Sequence, residues 1–93
     1  MICEIINGDC LDYLQRYDDR RFDLTFLDPP FNQSKDYRNH NDKMSPEDYW
    51  RWMTTICELV YNKSFEGAAI YFMQREKNTH HVMTALETAG WTY

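Results

Sequence analysis

Glycine, proline and cysteine are scarce in this chain, with three of each among 93 residues, and their placement is informative. Gly8, Gly67 and Gly90 stand far apart, so no glycine-rich loop can be drawn from them. Cys3, Cys10 and Cys57 form neither a Cys-x-x-Cys metal pair nor an even disulfide framework, and they read as buried, reduced thiols. No stretch approaches the roughly 18 consecutive apolar residues of a membrane span, and no basic-then-apolar leader opens the chain. A cytoplasmic setting is the expectation. Positive charge is also short: the net charge is −5 and the pI near 5.0, which argues against a strong, sequence-independent grip on nucleic-acid phosphates by these residues alone.

Aromatic residues, by contrast, make up 16% of the chain, enough to fill a core and also to present stacking faces. A chain of 93 residues is one small domain at most, able to bury roughly 60–65% of its extended surface. Such a size suits a fragment of an enzyme better than a whole one.

Apolar patterning alternates between two kinds. Residues 2–6 are a short branched run that reads as a buried strand, ended by Asn7 and Gly8. Asp9 then stands as the N-cap of a helix carrying Leu11, Leu14 and Tyr17 on one side, with Asp12 in its first turn. A charged connection, residues 18–21, leads to a second buried strand at 22–27. Residues 32–44 are polar, mixed in charge and aperiodic, and read as a long loop facing a site. Ser45, Pro46, Glu47 and Asp48 carry the signals of a helix start, and Tyr49, Trp52, Met53, Ile56, Leu59 and Val60 follow at spacings of three and four as a core stripe. Glu66 and Gly67 turn the chain into a third buried strand at 68–73. A last helix from about Asn78 stops at Gly90, and residues 91–93 resemble the start of a further strand. This βαβαβα series implies an α/β fold with a parallel sheet of about three strands, in which ligands bind off the carboxyl ends of the strands.

Asp28, Pro29, Pro30 and Phe31 occupy one such end. Two prolines hold φ near about −65° and remove two N–H donors, so the strand must stop and the carbonyls there are left to accept from a ligand. A carboxylate, free carbonyls and an aromatic ring together suit a planar amine. His80 and His81, adjacent on the last helix, point about 100° apart and are not read as a shared metal site; no metal is expected.

The motif, together with Ile5-Ile6-Asn7-Gly8-Asp9-Cys10-Leu11-Asp12-Tyr13-Leu14, Phe22-Asp23-Leu24, Tyr49, Trp52 and Ala89-Gly90-Trp91, resembles the amino-terminal part of the N6-adenine/N4-cytosine DNA methyltransferase family. The subgroup resembled places the catalytic motif before the target-recognition region and the S-adenosyl-L-methionine (AdoMet) loop. The resemblance implies a partial Rossmann-like methyltransferase fold, AdoMet as cofactor and a flipped-out DNA base as substrate. It implies that Asp9 and the backbone of Cys10 hold the cofactor. It implies that Asp28 and Pro29 accept from the target amine, with Pro30 completing the turn and Phe31 stacking on the base. Asp at position 28 favours adenine, since the cytosine enzymes more often carry Ser. The Phe-x-Gly-x-Gly loop and the recognition region are not present, so residues 1–93 are expected to be a catalytic-half fragment, inactive alone and prone to self-association. Three alternatives stay open: an N4-cytosine enzyme, a methyltransferase acting on RNA or protein, and a receiver-like binding module using Asp9 and Asp28 as an acidic cluster. Pro29 and Pro30 speak against the last.

Overall fold

The computed structural model describes residues 5–16, 22–32, 36–37, 40–41 and 43–92. Helix α1 (Cys10–Arg16) leads to strand β1 (Phe22–Leu27), a short ladder of β2 (Asp36–Tyr37) and β3 (His40–Asn41), and helix α2 (Pro46–Asn62). Strand β4 (Ser64–Phe72), a 3₁₀ turn (Glu76–Asn78) and helix α3 (Thr79–Ala89) complete the order.

Helix α2 begins where its sequence requires. Ser45 adopts an extended backbone, its hydroxyl accepts from the Asp48 N–H at 3.2 Å, and Pro46 takes the first helical position. Its apolar stripe is the core: Tyr49, Met53, Ile56 and Val60 are buried together with Leu14 of α1, and Leu27, Ile70 and Phe72 of the sheet pack against them. Helix α3 ends on Gly90, whose φ of 116° is left-handed. The Gly90 N–H bonds the Glu87 carbonyl and the Trp91 N–H the Leu86 carbonyl, a Schellman arrangement that satisfies two orphan acceptors. The Trp91 indole N–H then donates to the Cys57 carbonyl at 3.0 Å, tying this end of α3 to α2.

β1 and β4 pair in parallel, with Thr25 opposite Ile70, Phe26 opposite Tyr71 and Leu27 opposite Phe72. β4 is longer than the sequence suggests. It starts at Ser64 and takes in Glu66 and Gly67, read from the sequence as a turn; Gly67 at φ 84° accompanies a shift of register between Phe22 and Leu24 and keeps the strand going through an irregularity.

Further expectations change. The parallel sheet has two strands among the described residues instead of about three. The strand expected at residues 2–6 lies largely outside the described residues, and Ile5 and Ile6 carry no strand pairing, with Ile5 94% exposed. The strands are also buried on one face only. Thr25, Leu27, Ile70 and Phe72 face the helices, whereas Leu24, Phe26 and Tyr71 stand outward and exposed, because the described helices pack on one side of the sheet. Finally, the region 32–44 holds the antiparallel ladder Asp36–Asn41 and Tyr37–His40; strands of two residues are too short to show a period of two. Tyr17, the charged connection at 18–21, and Cys3 fall outside the described residues, as does Tyr93, while Trp91 and Thr92 form no strand.

Candidate active site

The ladder of β1 and β4 closes with the Met73 N–H bonded to the Leu27 carbonyl at 2.8 Å, so Asp28 is the first residue past the sheet. Pro29 cannot donate, and the strand stops there as its sequence dictates. Asp28 is exposed and makes no hydrogen bond or ion pair among the described residues; the Pro29 carbonyl likewise receives no donor from them. Two acceptors thus stand next to one another at the carboxyl end of a parallel strand. Phe31 is half-buried and lines a cavity of about 250 Å³ with Trp50, Arg75, Lys77 and His81. His81 stacks on Trp50 with ring centroids 5.1 Å apart.

Among the described residues no donor meets the Pro29 carbonyl, whereas the expectation of free carbonyls fails for Pro30, whose carbonyl accepts a short hydrogen bond from the Tyr49 hydroxyl. Gln74, just past the end of β4, donates its side-chain amide to the same hydroxyl at 2.9 Å. The sequence reading gives neither residue a role at the turn. Tyr49 heads the apolar stripe of α2, and a buried tyrosine must place its hydroxyl against a partner, which is the signal in the sequence that points to it. Asn32 is also positioned: with φ at 60° it donates to the Met44 carbonyl and accepts from the Met44 N–H, each at 2.8 Å. These two bonds close the neck of the segment between the motif and α2.

Asp9 lines a cavity that does not include residues 28–31, and among the described residues no hydrogen bond or ion pair joins Asp9 or Cys10 to them. Asp9 does cap α1, accepting from the Leu11 N–H at 2.8 Å, and it lines a cavity of about 420 Å³ with Ile6, Asn7, Gly8, Asp12 and Tyr13. One carboxylate oxygen is engaged there, and the other has no partner among the described residues. Cys10 is exposed, contrary to the buried thiol expected, because it occupies the first position of a short helix whose inward residue is Leu14. Partial burial of its sulfur and the neighbouring Asp9 carboxylate push its thiol above the ordinary pKa. Cys57 is buried as expected. His80 and His81 are both exposed, their ring centroids 3.9 Å apart, and among the described residues no group of three or more His, Cys, Asp or Glu is placed to hold a metal ion.

Known proteins give the same picture of the chain. The family model described as DNA methylase, that of the N6/N4 methyltransferases, matches residues 22–93, which include the motif, the core helix and β4. The chain is 40% identical over 50 residues to the Type II methyltransferase M.BamHI of Bacillus amyloliquefaciens, a match covering 53% of the chain and 12% of that protein. It is 31% identical over 67 residues to the Type II methyltransferase M.ScaI of Streptomyces caespitosus, covering 72% of the chain and 21% of that protein. The matched region is thus a small part of either relative. No solved structure gives a significant match. Taken with the Asp-Pro-Pro-Phe turn at the end of a parallel strand, the match over residues 22–93 makes this chain a member of the N6/N4 DNA methylase family.

Proposed function

We propose that this chain is the catalytic-motif part of an AdoMet-dependent DNA amino-methyltransferase that methylates the N6 amine of adenine in duplex DNA. The observation that supports it best is a pair of acceptors with no partner among the described residues, the Asp28 carboxylate and the Pro29 carbonyl, at the carboxyl end of β1 in a chain of this family. An exocyclic amine is a poor nucleophile because its lone pair is delocalised into the ring. Two acceptors binding its hydrogens favour the pyramidal geometry in which the lone pair is available. Asp28 and Pro29 fill that role, and Pro30 gives the turn its shape. A base must first leave the duplex stack, and Phe31 offsets part of that cost by stacking, worth about 1–3 kcal/mol per base.

The chemistry of Asp9 fits one end of the cofactor. Its carboxylate keeps an oxygen for an amine or hydroxyl donor while the other caps α1, and Asp9 together with the backbone of Cys10 would hold AdoMet, which supplies an electrophilic methyl group. Positioning and electrostatics then carry most of the rate, since the transfer is a direct displacement. A glycine-rich cofactor loop and a base-reading region are not among these 93 residues, and on this reading the 93 residues do not methylate by themselves. With a net charge of −5, these residues contribute little to a sequence-independent grip on DNA phosphates.

The test is methyl transfer from labelled AdoMet by the full-length protein that carries these residues, followed by nucleoside analysis of the DNA. N6-methyladenine is the expected product. N4-methylcytosine would move the assignment to the other branch of the family, and label in RNA or protein but not in DNA would overturn the substrate.

A further inference from the structure

Among the described residues, the turn from Asp28 to Phe31 makes no backbone–backbone hydrogen bond. The sheet's last rung is at Leu27, and neither proline has an N–H to donate. Within the turn, the Tyr49 hydroxyl donates to the Pro30 carbonyl, and just beyond it Asn32 is held by Met44. Tyr49 is 1% exposed, so its hydroxyl has no access to bulk water and its geometry is set by the protein. The ring is held edge-on by Trp50 and Trp52, with centroids 5.1 and 6.0 Å away. Its hydroxyl oxygen accepts from the Gln74 side-chain amide at 2.9 Å, which directs the hydroxyl proton to Pro30. Gln74 is itself oriented. Its Oε1 accepts from the Arg75 backbone N–H at 3.0 Å and lies 3.4 Å from the donor Asn78 Nδ2, so a backbone donor decides which end of the amide faces Tyr49. An Asn78–Gln74–Tyr49–Pro30 chain therefore connects the start of α3 and the end of β4 to the turn that carries the acceptors.

We propose that Tyr49 and Gln74 are positioning residues for catalysis, with Tyr49 clamping the Pro30 carbonyl and Gln74 aiming the clamp. This rests on the methyl-transfer reading above and deepens it. The clamp touches neither base nor cofactor; it holds Asp28 and the Pro29 carbonyl where two hydrogens of one amine meet both acceptors. A misplacement of about 1 Å at such a site costs up to about 100-fold in rate. Removing the hydroxyl lets the turn relax, because proline supplies no substitute bond.

The experiment compares wild type, Tyr49→Phe and Gln74→Ala in the full-length protein. Tyr49→Phe keeps the ring and its packing, and kcat falls about 10- to 100-fold while KM for duplex DNA and for AdoMet changes less than about threefold. Gln74→Ala lowers kcat in the same direction but less, and the double variant is no worse than Tyr49→Phe alone, since both act through one bond. A second readout needs no activity: in the isotopically labelled 93-residue chain, Tyr49→Phe shifts the Pro30 carbonyl and Phe31 amide resonances and leaves those of Leu27 in place. A Tyr49→Phe enzyme with kcat within twofold of wild type, or a double variant whose losses multiply, overturns the inference while the function stands. A wild-type protein that transfers no methyl group to any substrate ends the functional reading and the catalytic role with it. The resonance shifts then report on the bond alone.

Discussion

Asn32 and Met44, twelve residues apart, exchange two hydrogen bonds of 2.8 Å each, so a side-chain amide does the work of a strand rung at the neck of the segment after the motif. Asn32 accepts a left-handed backbone to do so, at φ 60°, which asparagine tolerates better than most residues. Asn32→Ala loses both bonds and meets the left-handed penalty, a destabilisation of about 2–4 kcal/mol. Asn32→Gly loses the bonds but not the backbone fit, and costs about 1–2 kcal/mol less than Ala. In both variants the Met44 amide exchanges with solvent faster. Equal melting temperatures for the Ala and Gly variants, with Met44 exchange unchanged, would contradict this role.

Cys57 makes stability depend on alkaline pH. Its side chain is fully buried on α2, and burial pushes the thiol from its ordinary 9.0 up to about 12. Below pH 9 the thiol is protonated in both states and this contribution is fully present. Between about 9 and 12 the unfolded chain releases the proton and the native chain does not, so stability falls with rising pH by about 1.4 kcal/mol per unit from this group. Cys57→Ala removes that slope at the cost of a smaller, pH-independent loss of packing. Urea unfolding of both chains at pH 8, 10 and 11 checks this; parallel stability profiles would refute it.

The legible parts of this fold are those written in local signals. Ser45 and Pro46 announced α2, Gly90 announced the end of α3, and Pro29 and Pro30 announced the end of β1, because each residue limits its own backbone wherever it is placed. The extent of β4 was not legible, since Glu66 and Gly67 carry turn chemistry and sit in the irregularity between the Phe22–Ser64 and Leu24–Ala69 pairs, where the strand continues without a β1 partner for them. Which sheet face is covered depends on helices whose packing no strand records. Asp28 and Pro29 could be found as acceptors from four letters. The engagement of Pro30 could not, because Tyr49 and Gln74 lie 19 and 44 residues further along the chain and meet it only after α2 has packed on the sheet.

The outward face of the sheet has a consequence for the 93-residue chain in isolation. Phe26 and Tyr71 stack at 5.1 Å and are 67% and 54% exposed, next to exposed Leu24 and Met73. A contiguous apolar face of this kind favours association with a second copy. The isolated chain sediments above its monomer mass of 11.3 kDa, and a Phe26→Lys, Tyr71→Lys double variant shifts it toward monomer with its helical signal retained. A wild-type chain that stays monomeric at tens of micromolar would rule this out.

Asp28 separates catalysis from folding most cleanly. The side chain is exposed and has no partner among the described residues, so its removal leaves no buried group unsatisfied and costs the fold little, within about 0.5 kcal/mol. On the proposed mechanism, Asp28→Ala in the full-length protein removes one acceptor for the target amine and leaves the stacking proposed for Phe31 and the cofactor contact proposed for Asp9 in place. Substrate binding should therefore survive far better than turnover, with kcat down and KM little changed. A single preorganised acceptor of this kind is worth on the order of 3–4 kcal/mol, or about 10²–10³ in rate. Asp28→Asn keeps a carbonyl acceptor and loses the charge, so its activity should lie between wild type and Ala. If Asp28 served only to end the strand, the pattern would invert: the melting temperature would drop and the turnover of each folded molecule would stay. Melting and single-turnover methylation measured on one preparation distinguish the two, and an unchanged rate in a well-folded Asp28→Ala enzyme would remove Asp28 from the chemistry.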